Sequence, residues 1–250
     1  MLSVVVPVFN ETENIAPLVA EIAALQGRVP LQEIIYVNDG STDGTLDELK
    51  RVQAMQPLLR VITQYPRSGQ SAATWTGVAA ATQPICVTLD GDGQNDPEGM
   101  VEMFRVFMDQ AQRTPRVMVA GQRAKREDNF VRIISSRVAN KVRASLLKDG
   151  VRDTGCALKM FRRDDYLSLP YFNHMHRFLA ALMIRNGVAV ALSPVKHRPR
   201  TAGTSKYGVW NRVWVGIVDI LGVRWLQSRA MTHNLMTQEE GQEHHGRRAA

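Results

Sequence analysis

Apolar residues in the first half of the chain fall into two alternating kinds of run. Leu2–Val8 is a β-branched stretch and predicts a buried strand. From Thr12, the positions Ile15, Leu18, Val19, Ile22 and Leu25 recur at helical spacing, which predicts a helix capped by Thr12 and running to about Gln26. The alternation continues. Strands are predicted at Glu33–Val37, Leu59–Thr63, Ile85–Leu89 and Arg116–Ala120. Between them lie helices at Asp43–Met55, at Gly69–Ala81 (rich in small residues), and from Asp96 to about Gln110. Asp96 reads as the N-cap of the last of these, with Pro97 at the first helical position.

Strands that are almost wholly apolar and alternate with helices imply an α/β fold. Its mostly parallel central sheet is covered by helices on both faces. In such sheets ligands bind beyond the carboxyl ends of the strands. The polar clusters Asn38–Asp43 and Asp90–Asp96 follow directly after predicted strands, where that rule puts a site. The second half is less regular and shows no internal repeat. Helices are predicted over Asn129–Leu147, Met175–Asn186 and Val209–Leu226, and strands over Ala157–Phe161 and Val188–Leu192. His197–Tyr207 reads as a basic loop, and the polar sequence beyond Arg229 as a disordered tail. The expected organisation is a catalytic domain over 1–207, an amphipathic helix over 208–229 and a tail over 230–250.

Charge and cysteine content narrow the classes. The net charge is +7, and much of the surplus is local: Lys196, Arg198, Arg200, Lys206, Arg212, Arg224 and Arg229 stand against Asp219 alone. Such a surplus points to a phosphorylated partner or an anionic surface. Cys86 and Cys156 cannot form a disulfide framework, and Cys86 sits in an apolar run as a core residue. The N-terminus lacks the basic region and cleavage site of a signal peptide. No stretch reaches the roughly 18 apolar residues that span a bilayer. These features predict a cytoplasmic protein, peripheral at the inner face of the membrane.

The chemistry concentrates in Leu89-Asp90-Gly91-Asp92-Gly93-Gln94-Asn95-Asp96-Pro97. Two carboxylates two residues apart, on a turn after a buried strand, can converge on one hard cation such as Mg²⁺ or Mn²⁺, with Gln94 adding a neutral oxygen. Gly91 and Gly93 let the backbone approach a ligand closely. Alone, this pattern also fits a polar turn without metal. A second constellation joins Val5–Glu11 to Val37–Asp43: Asp39 can accept hydrogen bonds from a base or ribose, and Pro7 with Phe9 can form an apolar wall. Ser41, Thr42 and Asp43 suit turn and helix-cap chemistry equally.

Taken in order, Pro7-Val8-Phe9-Asn10-Glu11, Asn38-Asp39-Gly40-Ser41-Thr42-Asp43 and Asp90-Gly91-Asp92 resemble the motifs of the inverting glycosyltransferase family 2, which has the GT-A nucleotide-sugar-binding fold. Three stretches resemble its dolichol-phosphate mannosyltransferase group, whose bacterial members glycosylate undecaprenyl phosphate. These are Asp90–Pro97, Gly121-Gln122-Arg123 and Arg200-Thr201-Ala202-Gly203-Thr204-Ser205-Lys206-Tyr207. The resemblance implies a UDP- or GDP-sugar donor, a divalent metal and a polyprenyl phosphate acceptor. It also implies roles. Pro7, Phe9, Asn10, Glu11 and Asp39 would hold the nucleoside, with Gly69 and Gly91 beside the donor. Asp90, Asp92 and Gln94 would bind the metal. Arg123, with Arg132 or Arg137, would grip the acceptor phosphate, and Arg200, Ser205 and Lys206 would close over the nucleotide phosphates. The family usually has Asp where this chain has Asn38, which bears on base preference.

Many members of the family it resembles that act on hydroxyl acceptors place a carboxylate base at the start of the acceptor-side helix. The corresponding stretch here, Asn173-His174-Met175-His176-Arg177-Phe178, has none. A phosphate acceptor is already anionic, so Arg177 or His176 can orient it. Asp92, Arg123 and Arg177 are then the expected catalytic residues, working by positioning and charge stabilisation. Asp153-Thr154-Gly155-Cys156 resembles the family's acceptor-site loop.

At about 100° per residue, Trp210, Trp214, Ile217, Val218, Leu221 and Trp225 share one helix face, with Arg212 and Asp219 opposite. This suits an interfacial helix on a membrane surface. The same stripe also fits a helix docked on the domain's own core. An integral-membrane partner could supply the span that this chain lacks, and a homo-oligomer is compatible with the sequence. A nucleotidyltransferase would carry a Gly-rich phosphate loop after the first strand, which Val8-Phe9-Asn10-Glu11 is not. Nucleic-acid binding has no motif here, and the acidic Asp90–Asp96 cluster opposes it. An inactive scaffold for a membrane partner is the remaining alternative.

Overall fold

The structure, a computed structural model, describes residues 1–123, 146–147, 149–151, 153–199 and 209–229, with backbone alone over 209–215. Seven strands form one sheet in the order β3-β2-β1-β4-β6-β5-β7. They are β1 (Leu2–Val8), β2 (Leu31–Asp39), β3 (Leu59–Gln64), β4 (Ile85–Thr88), β5 (Val117–Arg123), β6 (Lys159–Arg162) and β7 (Ala189–Val195). The helices are α1 (Thr12–Ala23), α2 (Thr45–Gln53), α3 (Gln70–Ala80), α4 (Gly99–Arg113), α5 (Arg163–Leu167), α6 (Leu179–Arg185) and α7 (Val209–Ser228). A 3₁₀ turn, Met175–Phe178, leads into α6.

β1 lies at the centre because its apolar residues are buried on both faces. Val4, Val6 and Val8 point into a layer with Ile15, Ile22, Met103 and Phe107 of α1 and α4. Val5 points the other way, toward Ala73, Val78 and Leu182 of α3 and α6. Small residues let α3 press against the sheet: a Cβ on Gly77 would sit 2.4 Å from Val5 Cγ1.

The predicted strands all form, and the sheet is mostly parallel. β6 is the exception, antiparallel to both β4 and β5. Three local expectations shift. Glu11 occupies the N-cap position of α1, and Thr12, the first helical residue, donates its hydroxyl to Asp43 at 3.0 Å. α4 starts at Gly99 with Glu98 at its N-cap position, although Asp96 still makes a capping-type bond, accepting from the Glu98 amide (3.1 Å) as well as from the Arg198 guanidinium (2.7 Å). The continuous helix expected over Met175–Asn186 is divided between the 3₁₀ turn and α6. The helix expected over Asn129–Leu147 and the tail beyond Arg229 lie outside the described residues.

Candidate active site

β1 pairs with β2 on one side and β4 on the other, all parallel, so the chain winds away from β1 in both directions. That is a topological switch point, and it opens a crevice beyond the strand ends. The loops after β1 and β2 are laced together across it. Asn10 adopts a φ of 55°, a left-handed conformation that Asn tolerates. Its Oδ1 accepts from the Thr42 amide at 2.8 Å, and its own amide donates to Ser41 Oγ at 2.9 Å. The Glu11 amide donates to Thr45 Oγ1 at 2.9 Å. Arg67 covers the Phe9 ring, its guanidinium carbon 3.7 Å from the ring centre. Asn38 closes the second loop by accepting from the Ser41 amide at 3.1 Å.

Asp39 is buried and already well occupied. It accepts from the amides of Ser68 (2.7 Å) and Gly69 (2.8 Å) and from the Gln64 side chain (2.6 Å). Gly69, at φ +90°, stands at the N-cap of α3. Asp39 therefore fixes where α3 begins, a structural duty beside the nucleoside contact expected of it.

Asp90 and Asp92 lie at the mouth of the crevice. Burial, reinforced by the negative charge of Asp92, pushes the Asp90 carboxyl up to about 6. Gln70 Nε2 donates to it at 2.7 Å. Asp92 accepts from the Gln94 amide at 3.1 Å, a turn that leaves the Gln94 side chain beside it in sequence. Gly91 is required by close approach: a Cβ there would meet Val8 Cγ1 at 2.3 Å and the Pro7 carbonyl at 3.3 Å. Gly91→Ala is expected to cost about 1–3 kcal/mol through overpacking. Urea denaturation would measure it, and an unchanged midpoint would mean the crevice is looser than this packing.

Behind Asp90 a pocket of about 110 Å³ runs under the strand ends, lined among others by Pro7, Asp90, Lys159, His176 and Arg177. It joins the first half of the chain to the second. Ser71 of α3 holds His176 in place, with its Oγ 2.7 Å from Nδ1 and 3.4 Å from the His176 amide. The amide donates to the serine oxygen, and the same hydroxyl pairs with Nδ1 of the neutral ring. Burial, with Lys159 and Arg177 nearby, pushes this imidazole down to about 3, so it stays uncharged.

Arg123 lies apart from this lining. Its Nε and Nη2 grip Asp153 in a buried fork, the latter at 2.7 Å, which occupies the edge that would hold a phosphate bidentately. Both cysteines are free and buried; burial pushes Cys86 up to about 12 and raises Cys156 as well. Arg132, Arg137, Arg200, Ser205 and Lys206 lie outside the described residues. Sequence reasoning missed Gln70, Ser71, Lys159 and Tyr166. Of these only Lys159 carried a signal, a charge within the apolar run Ala157–Phe161.

α7 combines two of the expected situations. Val223 is buried, and Ile220 and Leu226 pack beside it on the core. Ile217, Val218, Leu221 and Trp225 are exposed, the last at 60%. The side chains of Trp210 and Trp214 lie outside the described residues. Asp219 faces the protein, 3.1 Å from His174 Nδ1, and the Arg185 guanidinium donates to the Leu226 carbonyl at 2.8 Å. Among the described residues no helix is long and apolar enough to cross a membrane.

Comparison with known proteins agrees with this architecture. The chain is 34% identical over 227 residues to a dodecaprenyl-phosphate galacturonate synthase of Rhizobium johnstonii, covering 89% of this chain and 66% of that one. It is 30% identical to an undecaprenyl-phosphate 4-deoxy-4-formamido-L-arabinose transferase of Edwardsiella ictaluri, covering 83% and 63%. It thus spans just under two thirds of the length of these relatives. Among solved structures it shares the GT-A fold of two synthases. One is the glucosyl-3-phosphoglycerate synthase of Mycobacterium tuberculosis in complex with Mn²⁺, UDP-glucose and phosphoglyceric acid (TM-score 0.68, 18% identity, 93% of this chain and 81% of that one). The other is the mannosyl-3-phosphoglycerate synthase of Rubrobacter xylanophilus (TM-score 0.69, 17% identity, 95% and 77%). The sequence profile described as glycosyl transferase family 2 matches residues 3–168, and with the carboxylate pair at the β1–β4 crevice it settles the kinship: the chain belongs to glycosyltransferase family 2.

Proposed function

We propose that this chain transfers a sugar from a UDP- or GDP-sugar to a polyprenyl phosphate, with inversion at the anomeric carbon, at the cytoplasmic face of a membrane. One observation carries the reading. One pocket is lined by Asp90 together with Arg177, His176 and Lys159, and among the described residues Asp90 is the one carboxylate in that lining. A hydroxyl acceptor needs a base; a phosphate brings its own negative charge. The two relatives, a dodecaprenyl-phosphate galacturonate synthase and an undecaprenyl-phosphate 4-deoxy-4-formamido-L-arabinose transferase, support the same reading.

In this reading the donor nucleoside lies over the laced loops after β1 and β2. Asp90, Asp92 and Gln94 suit a hard divalent cation, since two close carboxylates, one of them desolvated, gain most from a positive charge between them. Mg²⁺ or Mn²⁺ bound there would neutralise charge on the leaving diphosphate. The chain's own residues do the rest. A phosphate oxygen of the acceptor attacks the anomeric carbon as its bond to the nucleoside diphosphate breaks, and no proton need move. Arg177 orients the acceptor at the rim, beside the neutral ring of His176. Asp153 holds Arg123 through two of its nitrogens, so Arg123 would reach a phosphate through the third. The exposed face of α7 would rest on the lipid surface that carries the acceptor.

The test is transfer of label from a panel of UDP- and GDP-sugars to undecaprenyl phosphate in the presence of Mn²⁺ or Mg²⁺, followed by extraction into organic solvent. Metal-dependent label in the lipid phase from one donor is expected. Transfer to a water-soluble acceptor alone would overturn the reading.

A further inference from the structure

We propose that Lys159, assisted by the Tyr166 hydroxyl, is the seat of the acceptor's phosphoryl group at the floor of the pocket; this rests on the acceptor class proposed above. Lys159 opens β6, a strand with buried neighbours on either side, and is itself only 6% exposed. Its Nζ donates to the Cys156 carbonyl at 2.6 Å and lies 3.5 Å from that of Thr154. Among the described residues no carboxylate comes within ion-pair distance of it. An ammonium has three N–H bonds and a full charge, and two carbonyls satisfy neither completely. Burying such a charge without a counter-ion is unfavourable, so an anion that enters the pocket would be held firmly.

A second group in the same pocket is also incomplete. Tyr166 is fully buried, its ring stacked on Phe161 with centroids 4.9 Å apart, and among the described residues its hydroxyl has no hydrogen-bond partner. Buried hydroxyls are nearly always paired; of the unpaired buried oxygens among the described residues, Tyr36, Asp165, Ser193, Gln227 and Tyr166, Tyr166 alone belongs to a residue that lines this pocket. The remaining polar lining agrees. Arg177 presents further donors, whereas Asp90, the one acid of the lining among the described residues, is already engaged by Gln70. The pocket is about 110 Å³, against the roughly 10–15 Å³ that one water requires, so an oxyanion of phosphate size is accommodated.

Direction decides which phosphate. β6 runs antiparallel to β4 and begins where β4 ends, so Lys159 pairs with Thr88, just before Asp90. Lys159, Tyr166, His176 and Arg177 come from the second half of the chain. The donor-side residues Asn10, Asp39 and Asp92 come from the first. Inversion requires the nucleophile and the leaving diphosphate on opposite sides of the anomeric carbon, and in this proposal Lys159, which lines the pocket, holds the nucleophile, whereas Asn10, Asp39 and Asp92 lie outside the lining.

The full chain would be titrated with farnesyl phosphate, with farnesol as the uncharged control and UDP with Mn²⁺ as a check on the donor side. Lys159→Met is expected to weaken farnesyl phosphate at least tenfold and Tyr166→Phe a few fold, with UDP binding unchanged in both. Wild-type affinity for farnesyl phosphate in Lys159→Met would overturn the assignment. So would an equal loss of UDP binding, which would place the lysine on the donor side. If Lys159→Met does not fold, Tyr166→Phe, which removes one oxygen, decides on the same criteria. A wild-type chain that binds farnesyl phosphate no better than farnesol would instead refute the acceptor class itself, and this seat with it.

Discussion

Asp92→Ala is expected to abolish sugar transfer while leaving the fold intact. Asp92 sits on the turn after β4, outside the buried core, so its removal exposes no cavity. The desolvated carboxyl of Asp90 would remain, but one carboxylate holds a divalent cation far less well than two. A loss of at least about a hundredfold in kcat is expected, the scale seen when one preorganised charge-stabilising group is removed from a reacting centre. The thermal midpoint should stay close to that of the wild type. Label transfer and thermal melting, with saturating Mn²⁺ in both, measure the two quantities. Full activity in this variant would remove the metal from the mechanism proposed here.

Membrane attachment should be lost when the exposed face of α7 is made polar. Ile217, Leu221 and Trp225 point away from the core, while Ile220, Val223 and Leu226 hold the helix to it. Changing the first three to serine removes apolar surface that contributes about 1 kcal/mol per side chain when half immersed. The three together correspond to roughly a hundredfold weaker binding to vesicles. The helix should remain docked, because its inward face is untouched. Co-sedimentation with anionic liposomes, compared with the circular dichroism of the free variant, separates the two effects. Unaltered sedimentation would assign that face to a protein contact.

Much of this was legible in the residues because the physics involved is local. A buried parallel strand must be apolar throughout, so β1, β2 and β4 announce themselves as runs of Val and Ile. A carboxylate pair directly after such a run can only lie at the sheet's carboxyl edge. Helical spacing alone put Ile217, Val218, Leu221 and Trp225 on one face of α7, while their exposure came from the structure. What was not legible depended on direction or on distance along the chain. An apolar run says nothing about which way a strand points, so the reversal at β6 and the arrival of Lys159 beside Asp90 were hidden. Ser71 and His176 meet across a separation of 105 residues, and no periodicity encodes that contact. Asp39 presents the same difficulty. Its position after β2 suggested a ligand, while its amide partners in the 65–69 loop could be found only in three dimensions.

The bonds to Asp39 reach further than the loop they close. By holding the amides of Ser68 and Gly69, this one carboxylate sets the height and rotation of α3. α3 in turn carries Gln70 to Asp90 on the donor side and Ser71 to His176 on the acceptor side. A change at Asp39 is therefore transmitted to both substrates at once. Weakened donor binding in an Asp39 variant would come with a displaced acceptor turn, and the two defects would be inseparable because one helix produces both.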